Sequence, residues 1–190
     1  MNHPASETYT LAMCTLADAT ALLEHSEREI RSNGENGLWF SPYDPVEDCG
    51  RATPERVQHL QSAFGISLDT PLWQRTWKLV SPALPEVIVG SLTLYGGRLN
   101  AELHRCSLGM GIEREHRDQG QGKALLAAAI AWALSQPTLA YIDLGVFDGN
   151  PRALGMYQRA GFVETGRRTD AFRVANQHVT DIHMTLTLRR

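Results

Sequence analysis

The sequence predicts a single α/β domain over residues 1–190, with a mixed central sheet of about seven strands flanked by about four helices. Three observations predict it. Strand-like and helical runs succeed one another in the order β-α-α-β-β-β-α-β-α-β-β. A length of 190 residues suits one domain with a real core. The composition, 43% hydrophobic and 21% charged, is that of an ordinary globular chain.

Thr8–Thr15 has strand character. Leu16–Arg31 spaces Leu16, Ala19, Leu22, Leu23 and Ile30 as a helix does, and Ser32-Asn33-Gly34 ends it. Glu35–Arg51 is irregular, with Pro42, Pro45 and Gly50 among the aromatics Trp39, Phe40 and Tyr43. Thr53-Pro54-Glu55 opens a second helix, a capping Thr followed by Pro at the first helical position. Val57, Leu60 and Phe64 give it a buried face, and Gly65 stops it. Trp77–Val80 and Val87–Tyr95 read as strands joined by a Pro-containing turn, and Gly96-Gly97 is a hairpin signal. Ala101–Ile112 is the next strand, and a polar loop joins it to a helix over Ala124–Leu134. Thr138–Phe147 is an apolar strand, long enough to be central. Asn150–Ala160 is a helix closed by Gly161. Phe162–Thr169 and Thr180–Leu188 are final antiparallel strands around a loop, Asp170–His178.

The net charge of −3 and the lack of any basic block argue against nucleic acid as a partner. Cys14, Cys49 and Cys106 are an odd number without metal-like spacing, which fits a reducing compartment better than a disulfide framework. No apolar run approaches the roughly 20 residues that cross a bilayer, and the N-terminus lacks the pattern of a secretory signal. A cytoplasmic protein without membrane contact is the expectation.

The most informative stretch is Ile112–Leu126. A polar loop carrying Gly120 and Gly122 opens a helix there. The first N–H groups of a helix lack intrahelical partners and sit at the positive end of its dipole, so such a loop can hold a phosphate or pyrophosphate. It is not a P-loop, because Arg117 stands where the first Gly belongs and Ala124 where Ser or Thr should follow Lys123. It is not a dinucleotide fingerprint, because Leu125 replaces the third Gly. What remains is Arg117-x-x-Gly120-x-Gly122. A second pattern follows one strand later: Asn150, Ala153, Tyr157, Gly161 and Phe162.

These two patterns, in this order, resemble the signatures of the GNAT superfamily of acyl-CoA-dependent N-acyltransferases. Asp181-Ile182-His183-Met184 is similar to that family's final-strand pattern, shortened by one residue. The resemblance implies the GNAT fold, acetyl-CoA as cosubstrate and no metal. It implies that backbone N–H groups from Arg117, Asp118, Gln119, Gly120, Gln121, Gly122 and Lys123 take the pyrophosphate. Arg117 or Lys123 would add charge, although Lys123 suits a solvated helix position equally well. The backbone of Gly111, Ile112 and Arg114 would pair with the pantetheine arm, one N–H polarising the thioester carbonyl. A β-bulge is frequent there in the family, and Gly109 and Gly111 are consistent with one. Tyr157 would act as the acid for the departing thiolate, and Asn150 would bond the cofactor arm, cap its helix, or do both.

The base that deprotonates the acceptor is the least legible part. Glu102 and His104, two apart on the expected strand, would share a face with Ile112, with Glu113 on the other. Glu102 and His104 are the candidates, and a cross-strand polar pair is an equally good account of them. His104 and Cys106 alone do not make a metal site. Trp39, Phe40 and Tyr43 could wall a cleft and Asp44, Glu47 and Asp48 attract an amine, but a loop packing its aromatics and solvating its acids fits better. The acceptor is expected to be a small-molecule amine or a protein N-terminus. A homodimer is compatible. The contrasting possibility is a non-catalytic acyl-CoA-binding sensor or regulatory module.

Overall fold

The structure is a computed structural model, and it describes residues 8–46 and 51–188. Seven strands form one mixed sheet: β1 (Thr10–Met13), β2 (Gln74–Val80), β3 (Ile88–Gly96), β4 (Arg105–Ile112), β5 (Tyr141–Phe147), β6 (Val163–Val174) and β7 (Gln177–Thr187). Their order across the sheet is β1-β2-β3-β4-β5-β7-β6. Four α-helices among the described residues accompany it: α1 (Ala19–Arg31), α2 (Pro54–Gly65), α3 (Gln121–Leu134) and α4 (Pro151–Arg159). The expected fold class and element order hold.

The helices lie on both faces. A side chain at Gly111 would meet Glu29 of α1, whereas Met110 and Ile112, pointing the other way, reach Gly122 of α3. The α1 and α2 face is sealed by Ala19, Leu22 and Leu60 over Ile88. The larger cluster lies on the α3 side, where Leu125, Leu126, Ala129 and Ala133 pack against Trp77, Leu79 and Leu92. The alanines let α3 lie close to the sheet. Trp132 meets Trp73 and Trp77 edge-on, with ring centroids 6.0 and 5.5 Å away.

The Thr53 cap and the Pro start of α2 are as expected, with Thr53 Oγ1 accepting the Arg56 N–H at 3.4 Å. Several boundaries differ: β1 is shorter (Thr10–Met13), β2 begins at Gln74 rather than Trp77, β5 begins at Tyr141 rather than Thr138, and three larger differences follow. β4 begins at Arg105, not Ala101, because Asn100–Glu102 forms a 3-10 turn. Glu102 closes that turn by accepting the N–H groups of Arg98 and Leu99 at 2.9 and 3.2 Å. α3 begins at Gln121, so Gly122 is inside the helix. The expected loop 170–178 is largely strand: β6 and β7 continue to a tight turn at Ala175-Asn176, both at positive φ (45° and 64°).

One feature of the sheet prepares the site. β4 and β5 are parallel neighbours, but they pair only over Arg105–Ser107 against Tyr141–Asp143. Beyond that point β4 runs on to Ile112 and β5 to Phe147 without a shared ladder. The strands part, leaving a gap in the middle of the sheet. The β3–β4 ladder meanwhile keeps one register from Gly96↔Cys106 to Gly90↔Ile112, so no bulge accompanies the parting and the bulge expected at Gly109 and Gly111 is not there.

Candidate active site

Backbone alternation fixes what faces the gap. Glu113 N–H donates to Val89 O at 2.9 Å, which makes that register position a hydrogen-bonded pair with β3. In an antiparallel ladder alternate residues point the other way, so the N–H and C=O groups of Met110 and Ile112 face β5 across the gap. Both polar groups of Ile112 are met by side chains. Its N–H is accepted by the Glu29 carboxylate. Its carbonyl accepts Arg117 Nε at 2.6 Å. Gly111 is what lets Glu29 in, for a Cβ there would coincide with the carboxylate.

Glu29 was not among the expected site residues. Its carboxyl is pushed up from its ordinary value, first by burial, while His25, Arg117 and the Ile112 N–H pull it back and Glu113 pushes with the burial. Behind it stands His25, fully buried, with Nε2 directed at Glu29 Oε2 at 3.9 Å. That Nε2 has no hydrogen-bond partner among the described residues. The other ring nitrogen, Nδ1, lies 2.9 Å from Glu113 Oε1, and Arg28 Nε holds the same oxygen at 3.0 Å. Burial opposes ionisation of Glu113, but the His25 hydrogen bond and the Arg28 charge outweigh it and hold its carboxyl below the ordinary range.

The glycine loop follows. A 3-10 turn, Arg114–His116, takes the chain out of the strand, and Arg117 N–H closes it on Arg114 O at 3.2 Å. Arg114 therefore leaves the extended line of Gly111 and Ile112, and its side chain pairs with Glu35 at 3.7 Å. The Arg117 guanidinium is engaged with Ile112 and lies 5.5 Å from the Phe40 ring, so it braces the loop where the sequence suggested a charge for an anion. Asp118 (φ 66°) and Gly120 (φ 81°) carry the turn, and Gly120 is the α3 N-cap without any side-chain cap. The first N–H groups of α3 are thus left for an outside acceptor. Lys123 is exposed, and Asp118 pairs with Arg152 of α4.

Tyr157 sits on α4, 6% exposed, edge-on to Phe162 at 5.7 Å. Burial, with the Glu29 charge adding to it, raises its phenol well above the ordinary value, so it stays protonated at working pH. Asn150 caps α4 through Oδ1, which accepts the Ala153 N–H at 3.1 Å. Met156, beside Tyr157, touches the α3 N-terminus at Gly122, which ties α4 to the loop.

Glu102 and His104 are not brought to this gap. Both lie exposed before β4 begins, with His104 edge-on to Tyr141 at 6.0 Å. The glycine loop is at the other end of that strand, on the order of 25 Å away at about 3.3 Å per residue. Trp39 packs on Gly34 and Phe40 on Arg117, while Glu47 and Asp48 lie outside the described residues. Burial pushes the Cys14 and Cys106 thiols up to about 12, so neither is a nucleophile. No group of three or more potential metal ligands occurs among the described residues, and no described helix is long and apolar enough to cross a membrane.

An open cavity of about 870 Å³ lies on the α1–α2 face, lined by Tyr95, Leu99, Glu102, Arg105, Ser107 and Asp143, so Glu102 borders this cavity although it does not reach the gap. Ser107 continues along β4 into Gly109 and Gly111 on the same face, with the Tyr95 ring over Gly109.

A parted pair of parallel strands, a glycine loop opening a helix beside it and a buried tyrosine on the next helix are the arrangement that the resemblance to acyl-CoA-dependent transferases leads one to expect. Residues 67–162, just over half of the chain, match the Acetyltransferase (GNAT) family. The chain belongs to that family. Its fold is shared with an acetyltransferase of the GNAT family from Streptococcus pneumoniae (20% identity, 96% of this chain and 100% of that one, TM-score 0.80). It is also similar to a GCN5-related N-acetyltransferase from Kribbella flavida (25% identity, 95% and 98%, TM-score 0.70). A third similar structure is spermidine N-acetyltransferase from Vibrio cholerae in complex with CoA and spermine (18% identity, 95% and 95%, TM-score 0.69).

Proposed function

We propose that this acetyltransferase moves the acetyl group of acetyl-CoA to the nitrogen of a primary amine, on a small molecule or a protein N-terminus, by direct attack. The observation that carries the proposal is the gap between β4 and β5, lined by backbone groups of Met110 and Ile112 and flanked by the loop and by Tyr157.

The residues fit the cosubstrate. The N–H groups from Asp118 to Lys123 would take the pyrophosphate, aided by the α3 dipole, with Asn150 beside the arm. Gly111 and Ile112 present extended backbone to an amide-bearing arm, and the Ile112 N–H would polarise the thioester carbonyl. Tyr157 would donate its hydrogen bond to the sulfur as the C–S bond breaks. The cavity on the α1–α2 face supports entry of the acceptor from the side opposite α3. The polyamine complex of the Vibrio protein favours an amine of that kind for the first panel.

The test is thiol release from acetyl-CoA over a panel of polyamines, amino-sugar amines and peptides with free N-termini. Turnover on at least one amine is expected, with Tyr157→Phe lowering kcat about 10²-fold and leaving CoA affinity unchanged. Tight CoA binding without release on any amine, unaltered by Tyr157→Phe, would replace the enzyme with an acyl-CoA-binding module.

A further inference from the structure

The acyl-transfer reading requires a base, because an ammonium nitrogen has no lone pair to attack with. We propose that Glu29 is that base, and that His25, locked by Glu113, is the positioning residue that stands behind it.

Three independent observations converge on this pair. Glu29 Oε atoms lie against the Cα of Gly111 and accept the Ile112 N–H, the very group that would polarise the thioester carbonyl. A proton acceptor in this position is next to the carbon that the amine attacks. His25 Nε2 is a fully buried ring nitrogen without a hydrogen-bond partner among the described residues, directed at Glu29. A buried orphan of this kind is costly and uncommon, and a polar group that acquires its partner only during the reaction accounts for it. Glu113, sharing its Oε1 with Arg28, holds the His25 ring through Nδ1 and so leaves Nε2 facing Glu29. The sequence places all of this on one helical stripe: Ala19, Leu22, His25 and Glu29 follow at helical spacing, and the stripe turns polar where α1 crosses Gly111.

The step balances. The acceptor ammonium gives one proton to Glu29. The amine lone pair forms the C–N bond to the thioester carbon and the C–S bond breaks. The sulfur takes the Tyr157 proton, and the phenol recovers one from the new amide nitrogen. The proton on Glu29 returns to solvent, so each turnover releases one proton. When the thioester carbonyl takes up the Ile112 N–H, Glu29 gives up that hydrogen bond and turns towards the acceptor. The groups that face Glu29 are His25 on its own helix, Ile112 N–H on β4, Glu113 and Arg117 after β4, Tyr95 on β3 and Tyr157 on α4.

The test is the pH profile of kcat/KM, from pH 5.5 to 9.5, on the best amine of the panel. Glu29→Gln should lower kcat/KM at pH 7 about 10²-fold or more, erase the limb assigned to Glu29 and leave a rate that simply follows the free-amine fraction. CoA affinity by calorimetry should stay within threefold of wild type. His25→Gln removes a group that holds the Glu29 carboxyl down, so its acid limb should move to higher pH, which a purely structural histidine would not cause. CoA binding and thermal melting of both variants check that they are folded. A Glu29→Gln enzyme within threefold of wild type, with its acid limb in place, overturns the base assignment while the acyl-transfer reading stands. Absence of turnover in wild type on every amine overturns that reading, and this one with it.

Discussion

Gly111→Ala tests the geometry most directly. A methyl group at this position would coincide with the Glu29 carboxylate, so the side chain must leave the gap. Because the atoms struck are the far end of a flexible side chain, β4 itself need not move. The stability terms nearly cancel. The charged hydrogen bond to Ile112 N–H is lost, about 1.5–3 kcal/mol. Returning a buried carboxylate to water regains a comparable amount, and replacing Gly by Ala in an extended strand adds about 0.4–1 kcal/mol through the unfolded state. The net should fall within about 2 kcal/mol, a melting shift of no more than roughly 8 °C for a chain of this size. Catalysis has no such compensation: with the base displaced, kcat/KM should fall about 10²-fold or more. Thermal melting and thiol release on the same preparation separate the two. A folded Gly111→Ala enzyme that keeps its turnover would show that the carboxylate at this point is not needed, and would refute the reasoning.

Two further outcomes follow from the same geometry. Gly120 carries φ 81°, and a Cβ there meets nothing within 4 Å, so its requirement is conformational rather than steric. Gly120→Val should strain the turn by about 1–3 kcal/mol and weaken CoA binding about tenfold, and unchanged affinity in calorimetry would remove the loop from the cofactor site. The second concerns pH. Because the Glu29 carboxyl is raised in the folded chain, the folded state binds that proton more tightly than the unfolded state does. Stability from this group is therefore lost as pH rises from the ordinary carboxylate value through the raised one. Glu29→Gln should gain melting temperature relative to wild type across that window, whereas Glu113, held low, contributes with the opposite sign in both proteins and cancels from the comparison. A difference that stays constant from pH 4 to 8 would contradict the raised carboxyl.

What the sequence made legible is what local backbone chemistry dictates. Thr53-Pro54 and Asn150-Pro151 announce helix starts, and Gly120 marks a left-handed turn before α3, because each is decided within a few residues. Glu102 and His104 do not reach the gap for a related reason. Two-residue periodicity extends the strand back to Ala101, but Asn100–Glu102 turns there, with the Glu102 carboxylate spent on two backbone N–H groups. The Ala175-Asn176 hairpin was missed because its turn carries no glycine. Glu29 and His25 were illegible in a deeper sense. Their partners are 82 to 88 residues away by number, at Glu113, Ile112 and Gly111, and only the packing of α1 on the sheet brings them together. The one hint was a polar residue pair continuing a buried stripe.

The parting of β4 and β5 explains why such a pair should exist at all. A strand in the middle of a sheet that loses its neighbour exposes backbone N–H and C=O groups to the interior, and each costs about 1–3 kcal/mol if left unmet. At Ile112 the chain meets both with side chains, Glu29 on the N–H and Arg117 on the carbonyl. A neutral acceptor would satisfy the N–H equally well. A carboxylate does so at the expense of being buried, which raises its affinity for a proton. The same geometric defect that opens the sheet to an acyl-carrying arm thus demands a hydrogen-bond acceptor at the point of attack, and this chain has filled the demand with a group that can also remove a proton.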